Sequence, residues 1–585
     1  MIQEKKTYRG VATSPGIGLG YVHLLDRGKI TVPKRKIDSK EEEFEISRFN
    51  SALSNARDQL RLIRKKVSDE QGEDHVYLIE AQLLMLDDRS LTDDTRDLIR
   101  EEKINAEWAV QKAIERFKKI FDRFDDEYFR DRRSDIEYVE ERLLRLLVGT
   151  REQGYVSLHR RSVLIAHDLS PADIVKINRD SLTGIATDIG GRTSHVSIIA
   201  RSLGVPMVVG VNALSADVQN GDRIIIDGTE GSIILHPDQK LWNEYDEKRK
   251  QYLTAQKELL KNRFHKAETK DQYEIHLLAN IDFPDEVPGV LANGAEGIGV
   301  LRTENLFLGA AIPVPEEKQF ECYKKIVTQM KPHEVVIRLW DLPGDSLFGS
   351  PIETRIDHNP ALGLRGIRLL LREKELFRPQ LRAILRASVY GKVAVMYPMV
   401  SSVGEIRQAN KFLQEVMAEL ESEKIHFDPD IRIGTMIEIP SAALTANRLA
   451  QEVDFLSIGT NDLVQYTLGV DRSNELVADL YNPLHSSVIR LLRRTIELGH
   501  KAAVEVGVCG EMASEPFFVP FLVGLELNFL SVSPSSIPIV KRIIRESTVS
   551  EAKQWVAEIS KLDDPAEIRR TLSSHYAERF KGLFT

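Results

Sequence analysis

Arg432-Ile-Gly-Thr-Met-Ile-Glu438 and Asp454-Phe-Leu-Ser-Ile-Gly459 are short apolar runs, each followed by a helical pattern. Runs of this length, closed by a turn residue or a charge, predict strands buried on both faces, as in a parallel sheet. Working outward from them, the unit recurs upstream in Glu274–Asn280, Gly297–Arg302, Val335–Asp341 and Val393–Pro398. Downstream it recurs in Ala503–Cys509 and Leu527–Val532. Eight β/α units over roughly 300 residues are what a TIM barrel requires, and residues 271–585 are expected to form one. A doubly wound open sheet is the alternative.

The chain of 585 residues is too long for one core, so three or more domains are expected. It is 42% hydrophobic and 29% charged, the balance of an ordinary soluble globular protein, and has no apolar run long enough for a membrane helix. Met1-Ile-Gln-Glu-Lys-Lys6 shows no signal-peptide core, and two cysteines make no disulfide framework, so a cytoplasmic location is expected. A net charge of −9 argues against nucleic acid as the main partner.

Ahead of the barrel, residues 7–25 and 162–236 read as short strands with glycine turns. Residues 222–235 form a hairpin pattern, two β-branched runs joined through Asp-Gly and Glu-Gly. Residues 40–148 are almost free of Gly and Pro, with apolar residues recurring at helical spacing (Phe49, Leu53, Leu60, Ile63; Leu143, Leu144, Leu147). The expected organisation is therefore an α/β domain over 1–39 and 149–236, interrupted by an inserted helical bundle over 40–148. A charged linker helix is expected over 237–270, either simply solvated or acting as a hinge lever.

In a barrel, catalytic groups gather at the C-terminal ends of the strands. Those ends carry Arg302, Arg338 with Asp341, Glu438, Asn461-Asp462 and Cys509, with Arg472 in the loop Gly469-Val-Asp-Arg472. A single charge there is usually a solubilising cap, but convergence of this many on one face is not expected from that cause. Glu438 and Asp462 are hard oxygen ligands suited to Mg²⁺, although a structural ion pair would use the same residues. Arg302, Arg338 and Arg472 can fork onto phosphate and carboxylate oxygens, and Asn461 can donate to the same phosphate. Cys509 fits either a proton donor at carbon or a small buried hydrophobe. A small anion bearing both phosphate and carboxylate suggests phosphoenolpyruvate, whose loss of phosphoryl leaves an enolate.

The acceptor candidate lies in the first α/β segment. Gly190-Gly191-Arg192-Thr193-Ser194-His195 precedes an apolar-periodic run, so His195 is expected at or just before a first helical turn, with Thr193 or Ser194 as N-cap. Unpaired N–H groups and the helix dipole favour phosphate there, and an imidazole so placed can carry a phosphoryl group. A capped helix with a solvated histidine is the plain alternative.

With these motifs in hand, the chain resembles enzyme I of the bacterial phosphoenolpyruvate:sugar phosphotransferase system along nearly its whole length. The resemblance rests on Gly-Gly-Arg-Thr-Ser-His195, Ile-Gly-Val-Leu-Arg302-Thr-Glu-Asn-Leu-Phe, Met-Ile-Glu438-Ile-Pro-Ser-Ala-Ala, the run from Phe455 to Arg472, and Val-Cys509-Gly-Glu-Met-Ala. It implies a phosphohistidine at His195, a phosphoenolpyruvate site at Arg302, Arg338, Asn461 and Arg472, Mg²⁺ on Glu438 and Asp462, and Cys509 as proton donor. It further implies release of pyruvate, an inserted helical domain that docks the carrier protein HPr, a swivelling phosphohistidine domain and a homodimer formed through the barrel.

One stretch departs from the family pattern Asp-Ile/Leu-Gly-Gly-Asp-Lys: here it is Asp341-Leu-Pro343-Gly-Asp-Ser346. A nitrogen-branch paralogue serving another HPr-like carrier is a close rival reading. A low-turnover regulatory protein of the same fold is another. Pyruvate phosphate dikinase shares the motifs but needs an ATP-grasp domain for which this chain has no room.

Overall fold

In the computed structural model the chain divides into two units, Met1–Lys257 and Glu258–Thr585. The residues described are 5–25, 32–71, 82, 83, 85, 86, 89–121, 127–149, 161–169, 173, 181–191, 195–202, 204–307, 314–342, 359, 361–472, 474 and 476–580.

The first unit is built on β1 (Lys6–Arg9), β2 (Val11–Ser14), β3 (Ile17–Leu25), β4 (Ser162–Ala166), β5 (Leu182–Thr187), β6 (Met207–Val209), β7 (Arg223–Asp227) and β8 (Ser232–Leu235). They form one sheet in the order β1-β8-β7-β3-β4-β5-β6-β2. Strands β3 to β6 run parallel, while β7 and β8 form the expected antiparallel hairpin with Asp227 opposite Ser232. The hairpin is apolar on both faces because both are covered: Ile224, Ile226 and Ile233 belong to one core cluster, and Ile225 and Ile234 to another.

The inserted helices Glu42–Gln71, Arg89–Glu102, Ala106–Phe121 and Glu127–Val148 lie between β3 and β4 in sequence. Those two strands are adjacent and paired from Tyr21 opposite Ser162 to Leu25 opposite Ala166, so the bundle leaves and re-enters the sheet at neighbouring strands. Every residue of the helical pattern picked out above, from Phe49 to Ile63 and from Leu143 to Leu147, is buried in one core. A buried ion cluster ties three of the helices. Arg48 contacts Glu45 at 2.7 Å and Glu107 at 2.5 Å, and donates to the Leu147 carbonyl at 3.0 Å.

The charged linker is a helix over Gln239–Lys261. Its first half is packed rather than solvated: Leu241, Trp242 and Tyr245 cover Leu19, Ile225 and Ile234, and the Arg223 guanidinium lies 4.3 Å over the Trp242 ring.

The second unit is a closed barrel of parallel strands, β9 (His276–Ile281), β10 (Gly297–Leu301), β11 (Glu334–Arg338), β12 (Val393–Tyr397), β13 (Arg432–Ile437), β14 (Phe455–Ile458), β15 (Glu505–Val508) and β16 (Phe529–Val532). Strand β16 pairs with β9 to complete the circle, so the open-sheet alternative is set aside. Alternate side chains fill the interior: Val300, Val336, Ala394, Met396, Met436, Phe455, Cys509 and Phe529 form one cluster. The Phe455 and Phe529 rings meet edge to face at 6.3 Å. Gly434 and Gly507 make room for them, since a Cβ at either would strike the Phe455 or Phe529 ring. The N-terminal mouth is occupied by Arg432, which bridges Glu334 and Glu505 and covers Phe455. Among the described residues no helix is long and apolar enough to cross a membrane.

Candidate active site

Strands β10, β11, β13 and β15 each end by delivering a side chain to the C-terminal mouth. Arg302 directly follows β10, its amide bonded to the Ile281 carbonyl at 2.9 Å and its guanidinium 3.2 Å from Asp282. Arg338 is the last residue of β11. Its Nη2 donates to Glu304 Oε1 at 2.8 Å, and its Nη1 lies 3.8 Å from Asp341. Burial works against the Arg338 cation, but Glu304, Asp341, Glu438 and Asp462 outweigh it and hold it charged. Asp341 is fixed in turn by a fork from Arg365, at 3.0 and 3.1 Å.

Glu438 follows β13 and is fully buried. Its Oε1 accepts from the Met399 amide at 2.6 Å, while its buried Oε2 has no partner. Burial, with Asp462 and then Asp341 close by, pushes its carboxyl up to about 8 despite Arg338. Asp462 lies in the first turn of the helix Thr460–Leu468, so the pair Asn461-Asp462 sits just past the end of β14, on the helix that follows. The Asn461 side-chain oxygen accepts from the Glu511 amide at 2.9 Å, which leaves its NH₂ as the outward donor.

Cys509 follows β15 and is buried, its amide donating to the Ile458 carbonyl at 3.0 Å. Burial pushes the thiol up to about 11, with Glu438 adding to the rise and Arg338 and Arg302 opposing it. At neutral pH the group therefore keeps its proton. Arg472 is exposed in the loop after the Thr460–Leu468 helix, with its amide bonded to Gln465 Oε1 at 3.2 Å.

The structure thus brings Arg302, Arg338, Glu438, Asn461, Asp462 and Cys509 to one end of the barrel. His195 is in the other unit, where it opens the helix His195–Ser202. Ser197 Oγ donates to the Gly191 carbonyl at 2.9 Å, tying that helix to the Gly-Gly turn. Residues 192–194, the His195 side chain and the departure Pro343–Ser346 lie outside the described residues.

Four buried polar atoms at the barrel end have no hydrogen-bond partner: Glu304 Oε2, Arg338 Nε, Glu438 Oε2 and Thr460 Oγ1. Native interiors seldom leave such atoms unpaired, so the cluster has the character of a site that completes its bonds with a ligand. A free buried oxygen on Glu438, with Asp462 nearby, fits a hard divalent cation. Arg302 and Arg338 fit the oxygens of a small anion.

Residues 256–549 match the PEP-binding domain of the PEP-utilising enzymes, 158–231 their mobile domain and 9–132 their N-terminal domain. The phosphoenolpyruvate-protein phosphotransferase of Listeria monocytogenes is 40% identical over 573 residues, 98% of this chain and 100% of that protein. The chain belongs to this family. The phosphoenolpyruvate-protein phosphotransferase of Bacillus sp. (strain S) is 39% identical, over 97% of this chain and 99% of its own length. A solution structure of an Enzyme I protein is 36% identical over 42% of this chain and 99% of its own, with a TM-score of 0.38.

For a phosphoenolpyruvate-protein phosphotransferase, the sequence reading overlooked three groups at this end of the barrel. Arg365 and Glu304 reach it through ion pairs to Asp341 and Arg338. Met399 reaches it through its amide, held at a φ of 58°. Glu304 stood two residues after Arg302 in a quoted motif and was open to notice. The other two carry no sequence signal, because one works by a fork and the other by backbone conformation.

Proposed function

We propose that this chain takes the phosphoryl group of phosphoenolpyruvate onto His195 and hands it to a histidine of an HPr-like carrier protein, the first step of phosphotransferase-system sugar uptake. The observation that carries this reading is the gathering of two arginines, two carboxylates and a protonated thiol at the barrel end, in a chain of this family. Arg302, Arg338 and Arg472 bind the phosphate and carboxylate oxygens, and Asn461 donates to the phosphate. Glu438 and Asp462 hold Mg²⁺, whose Lewis acidity when bound eases charge development on the ligand oxygens.

In the transfer, the bond from phosphorus to the enol oxygen breaks as a bond from phosphorus to a His195 ring nitrogen forms. Pyruvate enolate is left, and Arg302 and Arg338 balance its charge. The Cys509 thiol gives its proton to the methylene carbon, which makes pyruvate, and the thiolate regains a proton from solvent. A second exchange breaks the nitrogen–phosphorus bond at His195 and forms one on the carrier histidine. In-line transfer needs near contact, so the unit bearing His195 meets the barrel site and the carrier in turn. A cytoplasmic homodimer joined through the barrel completes the proposal.

The test is incubation of the purified chain with labelled phosphoenolpyruvate and Mg²⁺, followed by carrier proteins added one at a time. Acid-labile label that passes to a sugar-branch HPr supports the reading. Label that passes only to a nitrogen-branch carrier assigns the paralogue role, and no label at all removes the enzymatic reading.

A further inference from the structure

We infer that Glu304 is a positioning residue for Arg338, holding both that guanidinium and the base of the loop after β11 through a single carboxylate oxygen; the inference rests on phosphoenolpyruvate being the ligand of this site. Glu304 Oε1 accepts from Arg338 Nη2 at 2.8 Å and from the Asp341 amide at 2.9 Å. Both side chains of the ion pair are largely buried, with 12% and 14% of their surface exposed. A shared, buried, charge-assisted acceptor of this kind fixes geometry more strongly than an exposed pair does.

Asp341 is the other carboxylate in reach of Arg338, and it does not do the same work. Its two oxygens are committed to the Arg365 fork, and it stands 3.8 Å from Arg338 Nη1. It attracts the guanidinium without setting its orientation. Glu304 thus sets the head group, and two neighbours set the backbone. Thr303 Oγ1 donates to the Arg338 carbonyl at 3.0 Å, and the buried Gln380 donates to Thr303 Oγ1 at 3.0 Å. The Gln380 side-chain oxygen also accepts from the Trp340 amide at 3.2 Å. With Nη2 engaged by Glu304, Arg338 retains Nε, buried and unpartnered, for an incoming anion. Without Glu304 the guanidinium can turn toward Asp341 or the nearby Glu438 and Asp462, and the Asp341 amide loses its anchor. Asp341 is thus gripped at its amide by Glu304 and at its carboxylate by Arg365.

The experiment is calorimetric binding of phosphoenolpyruvate, with Mg²⁺ present, to the full chain in a His195→Ala background that cannot turn over. Glu304→Ala is expected to weaken binding by at least about tenfold, and Glu304→Gln, whose amide oxygen can accept both bonds, by no more than about threefold. In an Arg338→Ala background, Glu304→Ala is expected to add less than about twofold, because the residue acts through Arg338. A purely structural ion pair would move the melting temperature without this coupling. Binding by Glu304→Ala within about twofold of the parent overturns the inference, as do a loss in Glu304→Gln as large as in Glu304→Ala and full additivity with Arg338→Ala. A parent that binds no phosphoenolpyruvate overturns the functional reading along with it.

Discussion

The Met399 amide donates to Glu438 Oε1 at 2.6 Å from a backbone with a φ of 58°, a left-handed conformation that a methionine rarely adopts. The strain costs on the order of 1–2 kcal/mol and aims an N–H at a carboxylate that is buried with its second oxygen unpaired. Two unfavourable features converge on one group. Strain and a buried carboxyl with an unpaired oxygen are the features expected where a residue is kept for binding rather than for stability.

Replacing that carboxylate with its neutral isostere should therefore trade function for stability. Glu438→Gln is expected to raise the melting temperature of the metal-free protein near neutral pH by about 1–3 °C, since folding there must keep protonated a carboxyl raised to about 8 that ionises near 4.5 when unfolded, a cost the neutral amide does not carry. The same variant should lose Mg²⁺-dependent phosphorylation of His195. Differential scanning calorimetry and the labelling assay report the two effects, and a less stable variant that still responds to Mg²⁺ would contradict both.

Cys509 is buried and keeps its proton at neutral pH, since burial raises the thiol to about 11. Cys509→Ala removes the proton source while subtracting little from the packing of the barrel interior. Turnover of phosphoenolpyruvate is expected to fall by roughly 10²–10⁴, the usual worth of a general acid, with circular dichroism unchanged. Near-parent turnover in a steady-state pyruvate assay would return Cys509 to a packing role.

The loop that carries Cys509 is seated by a close approach. A Cβ on Gly510 would run into Thr460 Oγ1 and come within 2.7 Å of the Thr460 amide. The same loop is held by the Glu511 amide on Asn461. Gly510→Ala should push the loop off this seat and slow pyruvate formation by about tenfold or more, a misplacement effect at the reacting atoms. Unaltered kinetics would show that the loop accommodates the methyl group elsewhere.

At the start of the barrel unit, burial tends to raise the Asp271 carboxyl, but Thr269 Oγ1 and the Val549 and Ser550 amides overcome it and hold it down to about 2. A depressed carboxylate contributes stability above its unfolded pKa of about 4, and loses it as pH falls through about 2. Because Asp271 is solvent-exposed, Asp271→Asn should lower the melting temperature near neutral pH by only about 1 °C, and the difference should vanish toward pH 2. A gap that widens on acidification would invert the assignment.

Much of this architecture was legible in the chain. Each barrel strand announces itself as a short apolar run because parallel strands are buried on both faces, and the strand ends then point to Arg302, Arg338, Glu438 and Cys509. Asn461 and Asp462 stand one turn further on than the strand pattern implied, since the helix begins at Thr460. The clasp from Glu304 through Asp341 to Arg365 was hidden for a different reason: its partners stand far apart in sequence and meet only in the folded barrel, which leaves no periodic trace. The buried half of the linker helix was masked by composition, because the charges around Leu241, Trp242 and Tyr245 dominate the segment.

The central claim is that His195 receives the phosphoryl group from a ligand bound at the barrel end. The most direct measurement is peptide mapping after incubation of the intact chain with labelled phosphoenolpyruvate and Mg²⁺, run beside His195→Ala. The account predicts acid-labile label on the peptide containing His195 in the parent, and none in the variant, which should still bind phosphoenolpyruvate. Label on any other peptide, or label that survives in His195→Ala, would contradict it.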